Sequence, residues 1–365
     1  MIGVLDSGLG GLTVHEALVR RFPKLSIIYL GDHANDPYGD RPSQEIVAQT
    51  RDGVERLFAV GCRLVLLGCN TATAMAARRL QQAWLPHEPR WAGRNVLGIV
   101  APTVEAATRT PWAVTTPRYP QKNNDDLIIV FGTTRTVQSG VYREEIHKRC
   151  PRVRLVEHAC PGLVDAIEGG DEAAAERIVA RACETAMQGT GGERPDRVIL
   201  GCTHYPIVAT RFQAHLPDGV RVLSQPETVA DSLEDYLARH PAYAGDDTGA
   251  CMLRVLTTGD PNQVTAAARR FWRDVPTHEA ACAFPKRSRK KCASPETDAL
   301  LERPAIPASG SPHCRFRRDD PDQSLSRRRP RPPPPPPRRR SPPPRLPPSS
   351  SASSPSARGI SSPVS

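Results

Sequence analysis

The 365-residue chain is 39% apolar, contains 38 prolines and carries a formal net charge of +10. That charge belongs to one end: from Phe284 onward lie 20 of the prolines with 18 basic and 6 acidic residues, leaving 31 basic against 33 acidic groups in residues 1–283. The near-neutral body gives no reason to invoke a nucleic acid or a membrane surface, and no apolar run approaches the ~20 residues that span a bilayer.

In chain order, Ile2–Leu5 reads as a first strand rather than a secretory leader. A glycine turn, Gly8-Leu9-Gly10-Gly11, follows it, with Thr13 where a dinucleotide fingerprint would need its last glycine. Ser26–Leu30 reads as a second strand. Ser43 is expected to cap a helix burying Val47, Val54, Leu57 and Phe58. Strands are expected at Arg63–Leu67 and Val96–Val100, then a long inserted loop at about 111–126. Further strands fall at Leu127–Phe131, Val153–Val156, Arg197–Leu200 and Val220–Leu223, and Asp171 opens a helix burying Ala175, Ile178, Val179, Ala182 and Ala186. Near-continuous apolar strands alternating with amphipathic helices predict an α/β protein with parallel sheets covered on both faces.

The boundaries are placed near 99 and 210. Residues 1–98 with 211–283 form one α/β domain, 99–210 a second, and the final helices return to pack on the first. The Pro/Arg/Ser-rich tail, 284–365, lacks the apolar periodicity that offsets ordering entropy and is expected to be disordered. It reads either as a basic polyproline-type arm or as an adventitious extension.

The ten cysteines are scattered and include no CxxC pair, which argues against a disulfide framework and a zinc ribbon. Free thiols in a cytoplasmic protein are the simpler reading. Cys62, Cys150, Cys160, Cys183 and Cys251 read as small buried hydrophobes, Cys282 falls at the edge of the body, and Cys292 and Cys314 in the tail read as incidental. Cys69 and Cys202 differ, because their surroundings echo each other. Arg63-Leu64-Val65-Leu66-Leu67-Gly68-Cys69-Asn70-Thr71 is matched by Arg197-Val198-Ile199-Leu200-Gly201-Cys202-Thr203-His204. Each apolar strand ends at Gly-Cys, where ligands of open α/β sheets bind.

Two thiols, one ionised, can invert a carbon centre by removing a proton from one face and delivering one to the other. A helix starting just after each cysteine would favour the thiolate. Asn70, Thr71 and Thr203 suit a carboxylate held at helix starts. Asp6 can bind an ammonium group or assist a thiol, or merely cap the following helix. His204 can tune Cys202 or be structural.

The ordered set Asp6-Ser7-Gly8-Leu9-Gly10-Gly11, Pro37-Tyr38-Gly39, Cys69-Asn70-Thr71-Ala72 and Gly201-Cys202-Thr203-His204-Tyr205-Pro206 resembles the signature of bacterial glutamate racemases. Thr133 and Thr136, ahead of Ser139-Gly140, fit the same pattern, as does Glu168 after Cys160-Pro161-Gly162. The resemblance covers about residues 1–280. It implies two pseudo-symmetric flavodoxin-like domains with the site between them, and interconversion of L- and D-glutamate without pyridoxal phosphate or metal, for peptidoglycan. It implies that Cys69 takes the proton of D-glutamate and Cys202 that of L-glutamate. Substrate contacts would fall on Asp6, Ser7, Tyr38, Gly39, Asn70, Thr71, Thr133, Thr136, Thr203 and His204, with Glu168 an additional candidate. Glutamate is the expected partner, and a homodimer is left open. Rival readings are a related two-cysteine enzyme acting on aspartate, a hydantoin or maleate, a structural zinc held by Cys69, Cys202 and His204, and a binding module without catalysis.

A chain ended near residue 283 is expected to keep both its melting temperature and its activity; loss of either would show that the tail contributes.

Overall fold

The computed structural model describes residues 1–111, 117, 125–244 and 252–281. Most of the 111–126 insertion, Cys251, Cys282 and the whole 284–365 tail lie outside them.

Two wholly parallel sheets organise the described residues. The first uses β1 (Ile2–Asp6), β2 (Ile27–Gly31), β3 (Leu64–Leu67) and β4 (Asn95–Gly98). The second uses β5 (Leu127–Gly132), β6 (Arg154–Ala159), β7 (Arg197–Gly201) and β8 (Arg221–Leu223). Two late strands, β9 (Leu253–Thr257) and β10 (Glu279–Ala280), join the edge of the first, giving the orders β10-β9-β2-β1-β3-β4 and β6-β5-β7-β8. The repeat is topological: β2-β1-β3-β4 and β6-β5-β7-β8 are the same arrangement, with β1 corresponding to β5 and β3 to β7.

Side chains alternate faces along each strand. Ile2, Val4, Ile27, Tyr29, Leu64 and Leu66 enter a buried cluster that continues through Ile129, Phe131, Val198 and Leu200 of the second sheet. Their neighbours Leu5, Ile28, Leu30, Val65 and Leu67 face a separate core with Val54, Phe58 and Trp84. On the second sheet, Ile128, Val130 and Ile199 pack with Val100, Tyr142 and Ile146. Burial on both faces accounts for the continuous apolar runs in the sequence.

Helix Ser43–Ala59 buries Val47, Val54, Leu57 and Phe58 as expected, but Pro42 is its N-cap and no side chain caps it. Ser43 already lies inside the helix, because the fixed φ of Pro42 starts the turn one residue earlier than the pattern implied. Helix Glu172–Gly189 is capped by Asp171, whose carboxylate accepts the Ala174 N–H at 2.8 Å. Ala175, Val179, Ala182 and Ala186 are buried and Ile178 is half-buried.

Three expectations are corrected. β4 stops at Gly98, because Ile99 leaves the extended conformation for right-handed helical angles (φ −87°, ψ −6°) and Val100 begins the next helix. The return to the first sheet comes later than residue 210, because Arg221–Leu223 pairs with Arg197–Ile199. The returning chain also brings strands as well as helices: helix Gln225–Arg239 packs on helix Leu12–Arg21, and Leu253–Thr257 pairs with β2.

Asp171→Ala removes an N-cap and is expected to lower stability by about 1 kcal/mol, read as a shift of the urea midpoint with unchanged slope.

Candidate active site

β1 ends at Asp6 and β3 at Leu67, side by side, so Ser7 and Cys69 emerge from adjacent strand ends. β5 and β7 do the same for Thr133 and Cys202. All four residues line one cleft, with Tyr38, Gly39, Asn70, Thr71, Thr203 and His204. Asp6, Thr136 and Glu168 are absent from that lining and stand one layer behind it.

The first half's glycine turn packs directly on the second half's Cys-Thr-His turn. A Cβ at Gly10 would fall 2.3 Å from His204 Nδ1 and 2.6 Å from Thr203 Oγ1, so only glycine permits this approach. Thr13 Oγ1 donates to the carbonyls of Gly10 at 2.9 Å and Thr203 at 3.1 Å, which explains a threonine where a dinucleotide fingerprint would carry glycine.

Cys69 is the N-cap of a helical turn beginning at Asn70 and accepts the Ala72 N–H at 3.5 Å. Its Sγ lies 3.7 Å from Ser7 Oγ. Burial, reinforced by the nearby Asp6 carboxylate, pushes this thiol well up, and the Ala72 and Ser7 contacts offset only part of that. The helix start therefore does not leave Cys69 as the ready thiolate that its sequence position implied. Cys202 departs further: a turn through Thr203 and His204 follows it, then a short 3-10 helix at Tyr205–Val208. What faces Cys202 is His204, whose Nδ1 lies 3.7 Å from its Sγ.

His204 is held from its other side by Glu168, with Nε2 2.7 Å from Oε1. Burial pulls the imidazole down, but the hydrogen bonds and charges of Cys202 and Glu168 outweigh it and raise it well above 6.5. Glu168 responds oppositely: burial would raise it, and His204 brings it below the usual carboxylate value. The returning C-terminal segment supports the pair. Phe271 meets the His204 ring edge-on at 5.4 Å between centroids, and Arg270 donates to the Glu168 carbonyl at 2.6 Å.

Asp6 is buried, with Oδ2 accepting from Gly11 N at 2.7 Å, Gly8 N at 3.3 Å and Tyr29 OH at 3.3 Å. Burial raises it, while His204 and those N–H groups oppose the rise. Asn70 is locked by Gln225 and Tyr142, its Oδ1 accepting from Tyr142 OH at 2.8 Å and its Nδ2 donating to Gln225 Oε1 at 2.5 Å. Thr71, Thr133 and Thr136 form a hydroxyl triangle with sides of 3.0, 3.3 and 3.0 Å that joins the two halves. Tyr38 commits its hydroxyl to Asp32 Oδ2 at 2.7 Å.

The sequence reading missed Asp36 and Cys160 as lining residues, and Asp32, Tyr142 and Gln225 as supports. Asp36 precedes Pro37-Tyr38-Gly39 and was within reach of that motif; Tyr142 and Gln225 carry no local signal. Among the described residues, no group of three or more His, Cys, Asp or Glu side chains is arranged to hold a metal ion, and no helix is long and apolar enough to cross a membrane.

Comparison with known proteins agrees with this arrangement. Residues 8–233 match the family model described as Asp/Glu/Hydantoin racemase. The chain belongs to that family. A glutamate racemase of Phenylobacterium zucineum is 48% identical over 74% of this chain and 96% of its own length. One from Caulobacter sp. is 48% identical over 77% of this chain and 99% of its own. The crystal structure of glutamate racemase isoform RacE1 from Bacillus anthracis, 31% identical, superposes with a TM-score of 0.65 over 77% of this chain and 96% of that one. These likenesses make the chain an enzyme of the glutamate racemase type.

Glu168→Gln is expected to drop the His204 pKa, because the negative partner that overrides burial is lost. Imidazole NMR titration would check it; an unmoved His204 would mean that Cys202 alone sustains the shift.

Proposed function

We propose that the chain interconverts L- and D-glutamate by two-base proton transfer, with Cys69 and Cys202 on opposite faces of the α-carbon. The observation that supports this most is the pairing of topology and chemistry. Equivalent strands of two equivalent sheets each deliver a cysteine to one cleft, and the family's substrates are chiral at one acidic carbon.

For L-glutamate, the Cys202 thiolate, stabilised by the His204 imidazolium, takes the α-proton. The electron pair left on carbon delocalises into the α-carboxylate. Backbone N–H groups and hydroxyls at Asn70, Thr71 and Thr203 hold that carboxylate, and Tyr38 and Gly39 help seat the distal one. The Cys69 thiol, kept protonated by burial, delivers its proton from the other face. The product leaves Cys202 as thiol and Cys69 as thiolate, the starting state for D-glutamate. Asp6 acts on Cys69 from behind, Glu168 acts on Cys202 through His204, and Thr133 and Thr136 position Thr71. No cofactor is needed in this scheme. The product D-glutamate serves peptidoglycan synthesis in the cytoplasm.

Circular dichroism of L- and D-glutamate, followed separately in EDTA without pyridoxal phosphate, is expected to decay to zero from both sides. Positioned acid–base groups contribute about 10²–10⁴-fold, so Cys69→Ser and Cys202→Ser should each lose about 10³-fold or more in turnover while staying folded. Substantial turnover by either variant would rule out the two-thiol scheme. A flat trace with glutamate and decay with aspartate or a hydantoin would move the substrate within the family.

A further inference from the structure

Asn70 lines the cleft beside Cys69, and its side-chain amide has two unlike ends. Turned one way it offers an N–H to a carboxylate; turned the other way it offers an oxygen, which repels one. Behind the lining it meets three more buried polar side chains, Thr103, Tyr142 and Gln225. Each comes from a different helix: Val100–Thr108, Val141–Arg149 and Gln225–Arg239.

The direction of the bonds among these four residues follows from one backbone carbonyl. Thr103 Oγ1 donates its single proton to Ile99 O at 2.8 Å, so towards Gln225 it can only accept. Gln225 therefore turns Nε2 to Thr103, at 2.8 Å, and Oε1 to Asn70. That oxygen accepts from Asn70 Nδ2 at 2.5 Å, while Gln225 Nε2 also donates to Asn70 Oδ1 at 3.1 Å. Asn70 Oδ1 takes a second bond from the Tyr142 hydroxyl at 2.8 Å. The Asn70 oxygen and one of its N–H bonds are thus committed inside the protein, and one N–H is left for a ligand. Turning the amide over would set its oxygen against Gln225 Oε1 and leave the Tyr142 hydroxyl facing an NH₂ group, a costly exchange in a buried site.

We propose that Thr103, Gln225 and Tyr142 are positioning residues that hold the Asn70 amide with its remaining N–H, and not its oxygen, towards the substrate's α-carboxylate. This rests on the reading of the site as an amino-acid racemase and adds to it a relay that starts two hydrogen bonds behind Asn70, at Thr103. Negative charge moves into the α-carboxylate as the α-proton leaves, so the N–H is worth more in the transition state than in the bound substrate. Reversing it slows turnover as well as weakening binding.

The experiment measures kcat/KM for racemisation of L-glutamate by circular dichroism, with the urea midpoint of each variant alongside. Thr103→Val keeps the shape of the side chain and removes the hydroxyl that orients Gln225; Thr103→Ser keeps the hydroxyl and loses a methyl group. Thr103→Val is expected to lose about tenfold in kcat/KM, the effect of one hydrogen bond to a charged group, and Thr103→Ser to stay within about twofold of the unsubstituted enzyme. A packing role would give the reverse order, because serine leaves the larger void. Tyr142→Phe is also expected to lose about tenfold, and it carries the test if Thr103→Val does not fold. Both losses have to pass through Asn70, so in an Asn70→Ala background either substitution should change kcat/KM by less than about twofold. A folded Thr103→Val with full kcat/KM would overturn the proposal, and so would losses in Asn70→Ala as large as those in the unsubstituted enzyme. An unsubstituted enzyme with no glutamate turnover would overturn the functional reading, and this assignment with it.

Discussion

Every strand pairing in both sheets is parallel, and that constraint governs the rest of the molecule. A parallel strand must hand its chain to a crossover at its carboxyl end, so all such ends open on the same edge of each sheet. β1 and β5 are each flanked on both sides by parallel neighbours, and beside each the strand order reverses. The crevice at that reversal receives Ser7 and Cys69 in one half and Thr133 and Cys202 in the other. The halves approach so closely because Gly10 has no side chain to hold them apart.

The scaffold repeats, but its electrostatics do not. Cys69 faces a hydroxyl and lies near the Asp6 carboxylate in a buried environment, and its proton is held tightly. Cys202 faces a histidine whose imidazole Cys202 and Glu168 together raise well above 6.5. In a low-dielectric cleft such differences in neighbouring charge count for more than they would in water. The Glu168–His204 pair would be costly to bury alone; Phe271 and Arg270, from the returning C-terminal segment, hold it in register. A region that contributes no lining residue thus supports a pair beside the cleft.

Much of the fold was legible because alternation and burial leave a strong local signature. Eight strands, the inner face of helix Ser43–Ala59 and the Asp171 cap appear where the pattern places them, with strand ends within three residues. β9 was overlooked although Leu253-Arg254-Val255-Leu256-Thr257 is a short apolar run, since nothing local says which edge such a run will join. β8 was assigned to the wrong sheet for the same reason. Strand identity is local, whereas strand partnership is a contact between distant residues.

By itself, then, the sequence determined the α/β class, the repeated strand-Gly-Cys units and the cysteines that end them, because each depends on neighbours within a few residues. Only the tertiary structure decided that Asp36 lines the cleft while Asp6 stands behind it, and that Asn70 is fixed by Tyr142 and Gln225. It also decided that the two thiols face different partners, Cys69 the Ser7 hydroxyl and Cys202 the His204 imidazole. Burial and charge at a side chain are sums over everything that packs around it, and those partners come from β1, the helix at Leu163–Gly169, the helix at Gln225–Arg239 and the returning C-terminal segment. No window along the chain contains them together.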